Sequence, residues 1–409
     1  MRPIARYLLL LFAFTVPWEY SLDLGEPLGN MARIAGLLLL LAAIPAVAQA
    51  GRLRKPGAFQ WVTLALFLWF GSTYLWTLDP LATLTKLRAC FQEMMVVWLA
   101  WELVDTPADL RNLLRVTVAG SWVLAILTLV AFRSPEAIAQ GQIRFFAYGQ
   151  DPNDMARFLD LAFPQAALLF ECDHRSSMRF LGLGFLPIGF IAVLLTASRE
   201  GFLAALIALA GSAWILMRRR PRRLTVAILA LPVVFAVLWF TVPAATLQRL
   251  GTIPEQLHGG DLNQRLNIWS AGWRAFTQAP LFGSGAGSFV TAAHLAPIDT
   301  AHNTALSVVV NGGLIALMLL LLLVAMTWRS ALTTSGPLRI ALAGSLLVWM
   351  VTTFVATVEE NRATWLLLAT IAVAGRLAAE NRESLSRQFP YTRSDSTPDR
   401  LPALTAVNR

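Results

Sequence analysis

AHNTALSVVVNGGLIALMLLLLLVAMTWR, residues Ala301–Arg329, carries no charged side chain between His302 and Arg329. A run of this length and apolarity is long enough to cross the hydrocarbon core of a bilayer as a helix. Working outward, comparable runs recur at about twenty-residue spacing along the whole chain. Of 409 residues, 56% are hydrophobic and only 14% charged, and the mean hydropathy is +0.60. A soluble protein of this length needs far more charged surface. The pattern predicts an all-α polytopic membrane protein, because only helices and closed barrels satisfy their backbone inside lipid.

Twelve spans are expected, at about 5–20, 31–50, 58–76, 88–103, 113–132, 154–170, 179–197, 201–217, 224–244, 303–327, 338–357 and 363–378. The basic, apolar start MRPIARYLLLLFAFTVPWEY reads as a retained first helix rather than a cleaved signal. The fourth and sixth spans contain Glu93, and Arg157 with Asp160. Ionisable groups at membrane depth face the bundle interior or a cavity. Residues 1–378 form the predicted membrane domain, with one long outer loop at about 245–301 that contains short helices. The polar, proline-containing stretch 379–409 is expected to be a cytoplasmic, disordered tail.

The net charge of +9 does not point to nucleic acid. Its arginines cluster in alternate short loops such as GRLRK at Gly51–Lys55 and RRRPRR at Arg218–Arg223. That is the charge bias of cytoplasmic loops, and it puts both termini inside. Two cysteines, Cys90 and Cys172, make neither a disulfide framework nor a metal cluster. The same topology gathers Arg144, Arg199, Arg265, His302 and Arg362 at the outer face from five separate regions.

Within the long loop, Leu266, Ile268, Trp269, Trp273 and Phe276 recur at near-helical spacing. Asp261 or Asn263 is placed to cap that helix, and it either lies against lipid headgroups or packs on the bundle. Gly283, Gly285 and Gly287 follow. Spaced glycines can expose N–H groups to an anion, but the lysine and serine or threonine of a nucleotide loop are missing. No metal or nucleotide cofactor is expected.

His302 stands at the start of a span, where the helix terminus disfavours an imidazolium and keeps the ring able to accept a proton. A structural hydrogen-bonding role fits the same position. Asn303 can cap the helix or orient the imidazole, and His294 is a further candidate eight residues earlier. Arg199 lies between two closely spaced spans, with Glu200 beside it as a partner. Several arginines converging on one point suit a phosphate or pyrophosphate, because guanidinium offers a bidentate fork.

DPNDMA (Asp151–Ala156), LLTASREG (Leu194–Gly201), QRLNIWSAGWRAF (Gln264–Phe276), PLFGSGAGSF (Pro280–Phe289) and AHNTALSVVVNGGL (Ala301–Leu314) together form an ordered set. In that order and topology the chain resembles the O-antigen ligase and polysaccharide polymerase superfamily. The resemblance implies a GT-C-like glycosyltransferase of the bacterial inner membrane, with its active site facing the periplasm. It implies a donor glycan on undecaprenyl pyrophosphate, an acceptor that is lipid A–core or another glycan, and inverting transfer without a metal. The family's histidine falls on His302, its span-end arginine on Arg199 and its loop arginine on Arg265. Arg144, Asn153, Asn303, Glu360 and Arg362 are further candidates for holding donor or acceptor. O-antigen ligation is the leading expectation. Repeat-unit polymerisation uses the same donor class. A lipid or polysaccharide transporter or flippase is the competitor of another class, although the chain shows no internal repeat.

Overall fold

The computed structural model describes residues 1–25, 29–218, 240–258, 260 and 264–388, together with 222, 225 and 236. Among these residues the chain is all helix, and its one β contact is an isolated bridge between Asp23 and Asn30. In chain order the helices are α1 (Arg2–Thr15), α2 (Met31–Ala50), α3 (Ala58–Ser72), α4 (Pro80–Leu103) and α5 (Pro107–Phe132). They continue with α6 (Pro135–Ala139), α7 (Pro152–Cys172), α8 (Ser176–Leu195) and α9 (Arg199–Met217). The outer segment holds α10 (Ala244–Gly251), α11 (Ile253–His258), α12 (Arg265–Gln278) and α13 (Phe289–Ala292). The chain then closes with α14 (Thr304–Thr333), α15 (Gly336–Thr353) and α16 (Arg362–Gln388).

Eight of these helices are long and apolar enough to cross a membrane, and the chain is a multi-pass membrane protein. The expected first span is shorter than a bilayer, because α1 has 14 residues before the chain tightens into a 3-10 turn over Val16–Ser21. The expected fourth and sixth spans are helices, α4 and α7, that carry too many ionisable groups to stand among the eight. The expected ninth, 224–244, lies mostly outside the described residues.

Two boundaries differ from expectation for local reasons. α4 begins at Pro80 rather than near 88, because the Asp79 side chain accepts from the Ala82 N–H at 3.0 Å and proline fits the first helical turn. α16 continues past 378 to Gln388, so the first part of the expected tail is helical, and 389–409 lie outside the described residues.

α7 is the centre of the bundle. Every residue from Met155 to Leu169 is buried, and the helix packs against α5, α8, α9 and α15. Glu93, Arg157 and Asp160 are all buried, so these three ionisable groups of α4 and α7 do point inward.

α14 is broken at Gly313, whose φ of 68° and ψ of −169° are open to glycine alone. The break frees backbone carbonyls, and a folded neighbour satisfies them. Ser284 N–H donates to Val310 O at 2.8 Å, Gly285 N–H to Asn311 O at 3.0 Å, and Trp69 Nε1–H to Gly312 O at 2.7 Å. In return Leu314 N–H donates to Pro280 O at 2.9 Å. The glycine-rich loop is therefore a backbone clasp on α14. The Ser284 and Gly285 N–H groups point at helix carbonyls and not at an anion.

The clasp holds α12 over the start of α14. Ile268, Ala271 and Ala275 pack with Phe289, Ala301 and Val310. Leu266 and Trp273 are exposed, so the buried stripe of α12 is Ile268 with the small residues Ala271, Gly272 and Ala275, flanked by partly buried Trp269 and Phe276, and not the full apolar set read from the sequence. Gln264 occupies the capping position without a side-chain cap. Asp261 and Asn263 lie outside the described residues.

Candidate active site

The turn Thr196–Ser198 joins α8 to α9, and its tightness puts Ala197 at a φ of 49°. Ser198 caps α9 by accepting from the Gly201 N–H at 3.2 Å. A helix C-terminus presents unpaired carbonyls and a helix N-terminus presents unpaired N–H groups. Both occur at this turn. Arg144 Nε donates to Thr196 O at 3.0 Å, and Arg249 Nε, from α10, donates to Ala197 O at 3.2 Å. Arg199 begins α9 beside them.

Together they wall a cavity of about 180 Å³, which Asn153, Glu200, Gln256, Arg265 and Trp269 complete. Asn153 Oδ1 accepts from Arg144 Nη2 at 2.9 Å and from Ser198 Oγ at 2.9 Å, so α7 fixes both the arginine and the turn. Arg265 Nη1 pairs with Glu200 Oε2 at 2.7 Å, and both side chains are largely covered. Among the described residues, neither Arg144 nor Arg249 forms an ion pair. Burial, and then the adjacent Arg249 guanidinium, pull Arg144 below the usual arginine range. Among the described residues, four guanidinium groups thus line the cavity with one carboxylate, and the N-terminus of α9 adds a further partial positive charge. The arrangement fits a multiply charged anion with several acceptor oxygens.

His302 is half-buried and does not itself line this cavity. It precedes the cap of α14, at a φ of 44°. Burial lowers its pKa below the ordinary imidazole value, and the Arg265 charge lowers it further, against Asp151, Asp154 and Asp299. The neutral ring is therefore favoured at pH 7. Trp269 Nε1 donates to Ala301 O at 3.0 Å and ties α12 to the backbone one residue before the histidine. Asn303 caps α14, accepting from Leu306 N–H at 2.9 Å while its Nδ2 donates to Phe354 O at 3.2 Å. His294 is exposed, at the end of the clasp loop.

Glu360 and Arg362 belong to a different cluster. Arg362 pairs with Glu19 and donates to Gln92 Oε1 at 2.7 Å, while Glu360 pairs with Lys86 of α4. Neither lines the arginine cavity. Sequence position puts them at the correct end of the bundle, but their partners hold them on the α1–α4–α16 side.

Arg249 and Gln256 were missed. The signal for Arg249 is the pattern AATLQRLG after Pro243, in which Thr246 and Leu250 turn inward and leave Arg249 on another face; Gln256 lies in the next helix, IPEQLH. The partner of Glu200 was missed too, since Arg265 is distant in sequence.

Residues 184–321 match the O-antigen ligase family. The match runs from within α8 into α14, so it contains Arg199, Arg249, Arg265 and His302, but not Arg144 or Asn153. No curated protein matches the chain. The match covers part of a polytopic membrane protein and leaves residues 1–183 and 322–409 outside it.

Proposed function

We propose that the protein is an O-antigen ligase. In this reading it transfers a glycan from undecaprenyl pyrophosphate to lipid A–core at the periplasmic face of the bacterial inner membrane. The observation that carries it is the cavity that Arg144, Arg199, Arg249 and Arg265 line with one carboxylate among the described residues, within electrostatic reach of a histidine whose pKa is lowered. The family match over the segment that contains Arg199, Arg249, Arg265 and His302 supports it.

Neutral His302 accepts the proton of an acceptor hydroxyl as that oxygen attacks the anomeric carbon. The new glycosidic C–O bond forms as the bond to the pyrophosphate breaks, and the carrier pyrophosphate leaves with the electron pair. Attack from the opposite face inverts the anomeric centre. Arg144, Arg199 and Arg249 hold the phosphates and offset the charge that develops on them. Arg265 both contributes to that field and, through its charge on His302, keeps the base unprotonated. Asn303 and Trp269 fix the backbone on either side of the histidine.

The test is a reconstituted transfer assay with undecaprenyl-pyrophosphate-linked glycan as donor, run in excess chelator. Product on lipid A–core supports ligation. Product only on a second donor-linked glycan moves the reading to repeat-unit polymerisation. Donor transport across a vesicle bilayer without any new glycosidic bond defeats both.

A further inference from the structure

At the other end of the bundle a second basic pocket opens. α16 links the two ends, since Arg362 starts it near the outer cluster and Arg376 lies about four turns further along. A cavity of about 600 Å³ lies where the α2–α3 loop meets the start of α1 and the ends of α4 and α16. Arg2, Arg52, Arg54, Lys55 and Arg376 line it, against Glu102 and Glu380.

Part of this charge is matched internally. Arg2 pairs with Glu102 at 3.3 Å, Arg54 with Glu380 at 3.6 Å, and Arg376 with Glu380 at 3.2 Å. Asp105, at the edge, takes Arg2 at 3.0 Å and also pairs with Arg6 and Arg54. Two features are left over. Arg52 and Lys55 are exposed at the pocket and form no ion pair among the described residues. The buried Nε groups of Arg2, Arg54 and Arg376 find no acceptor. Loop arginines that serve only as topology signals stay solvated and need no such convergence. Unpaired buried donors are rare and call for a partner.

Trp101 forms one wall. The Arg376 guanidinium lies 4.9 Å from its ring centre, and its indole N–H donates to Lys55 O at 3.1 Å. That contact fixes the Arg52–Lys55 loop against α4, so the free cations stand on an ordered edge.

We propose that this pocket binds a phosphate-bearing anion at the membrane surface opposite the arginine cavity. A phosphate supplies acceptor oxygens to the exposed Arg52 guanidinium and Lys55 ammonium that line the pocket. The pocket sits where the helices end, at headgroup depth, where anionic lipids bring phosphates close to basic loops. A lipid headgroup and a free phosphate share this chemistry, and the experiment separates them.

The full-length protein, purified in neutral detergent, is titrated with phosphatidylglycerol, phosphatidylcholine and inorganic phosphate. Bound lipid is counted by native mass spectrometry, and phosphate binding is read by calorimetry. The variant is Arg52→Ala with Lys55→Ala, both exposed and unpaired. The control is Arg175→Ala with Arg329→Ala, which removes the same charge from exposed positions at that end of the bundle. The pocket variant should bind its ligand roughly thirtyfold more weakly, at the energy per basic residue typical of such surfaces. The control should bind as the parent does. Preference for phosphatidylglycerol over phosphatidylcholine, with no phosphate binding, assigns a lipid headgroup. Phosphate binding that the pocket variant loses assigns a free anion. Binding of neither, or equal weakening in variant and control, overturns the proposal.

Discussion

Gly313→Ala should detach the clasp on which the arginine cavity rests. A Cβ at this position would lie 2.1 Å from Leu281 O and 2.6 Å from Phe282 N. Backbone must move to admit it, because no flexible side chain is there to yield. The φ of 68° adds strain of about 1–3 kcal/mol for a non-glycine residue. Displacing the 280–285 segment breaks the Ser284–Val310, Gly285–Asn311 and Leu314–Pro280 backbone bonds, each worth about 1 kcal/mol net. The sum is about 4–6 kcal/mol, a large share of ordinary stability. Gly211→Ala is the control, because a Cβ there meets nothing within 4 Å inside regular α9. In detergent, thermal unfolding should drop by on the order of 10 °C for Gly313→Ala and rise slightly or stay level for Gly211→Ala. Transfer should fall with it, since α12 carries Arg265. A Gly313→Ala protein that melts with the parent and transfers normally would refute the clasp as a support of the site.

The remaining predictions concern charge. Burial and the Arg265 charge lower the His302 pKa, so if His302 is the neutral base of the proposed mechanism, transfer should be full at pH 7. It should fall about tenfold per unit only below a midpoint under 6.5. Arg265→Gln removes one of the causes of that lowering and should move the midpoint upward in a pH–rate profile, whereas a base other than His302 would leave it in place. Arg249→Ala should weaken donor binding by about ten- to a hundredfold, the range of one charge-assisted hydrogen bond to phosphate, with Arg249→Lys recovering little. Equilibrium binding of the carrier pyrophosphate checks this, and an unchanged affinity would remove Arg249 from the anion site.

What could be read from the sequence follows from what periodicity and charge bias encode. α2, α3, α8, α9 and α15 lie within a few residues of the expected spans, as does the start of α14, because long apolar runs with loop arginines leave little choice. The start of α4 did not. Lys86 and Arg88 look like loop residues until Lys86 is seen buried against Glu359 and Glu360 of the α16 end. Charge bias also assigns an end of the bundle but no lateral position. It therefore grouped Arg362 with Arg199, although Glu19 holds Arg362 elsewhere. Arg144 and Asn153 were legible only as polar residues at the outer end, because their bond to one another depends on the α8–α9 turn. The glycines of 283–287 signalled unusual backbone correctly. What they approach, a break in α14, is a long-range pairing that no local pattern contains.

The most direct test of the central claim separates donor binding from glycosyl transfer in two variants. Purified protein is given labelled undecaprenyl-pyrophosphate glycan and lipid A–core, and affinity and single-turnover rate are measured on the same samples. His302→Ala should bind donor as the parent does and transfer about 10²–10⁴-fold more slowly, the range for loss of a general base. Arg199→Ala should lose both affinity and rate, because a phosphate clamp acts in the ground state and in the transition state. A folded His302→Ala protein with near-parental turnover, or an Arg199→Ala protein with parental affinity and rate, would contradict the account.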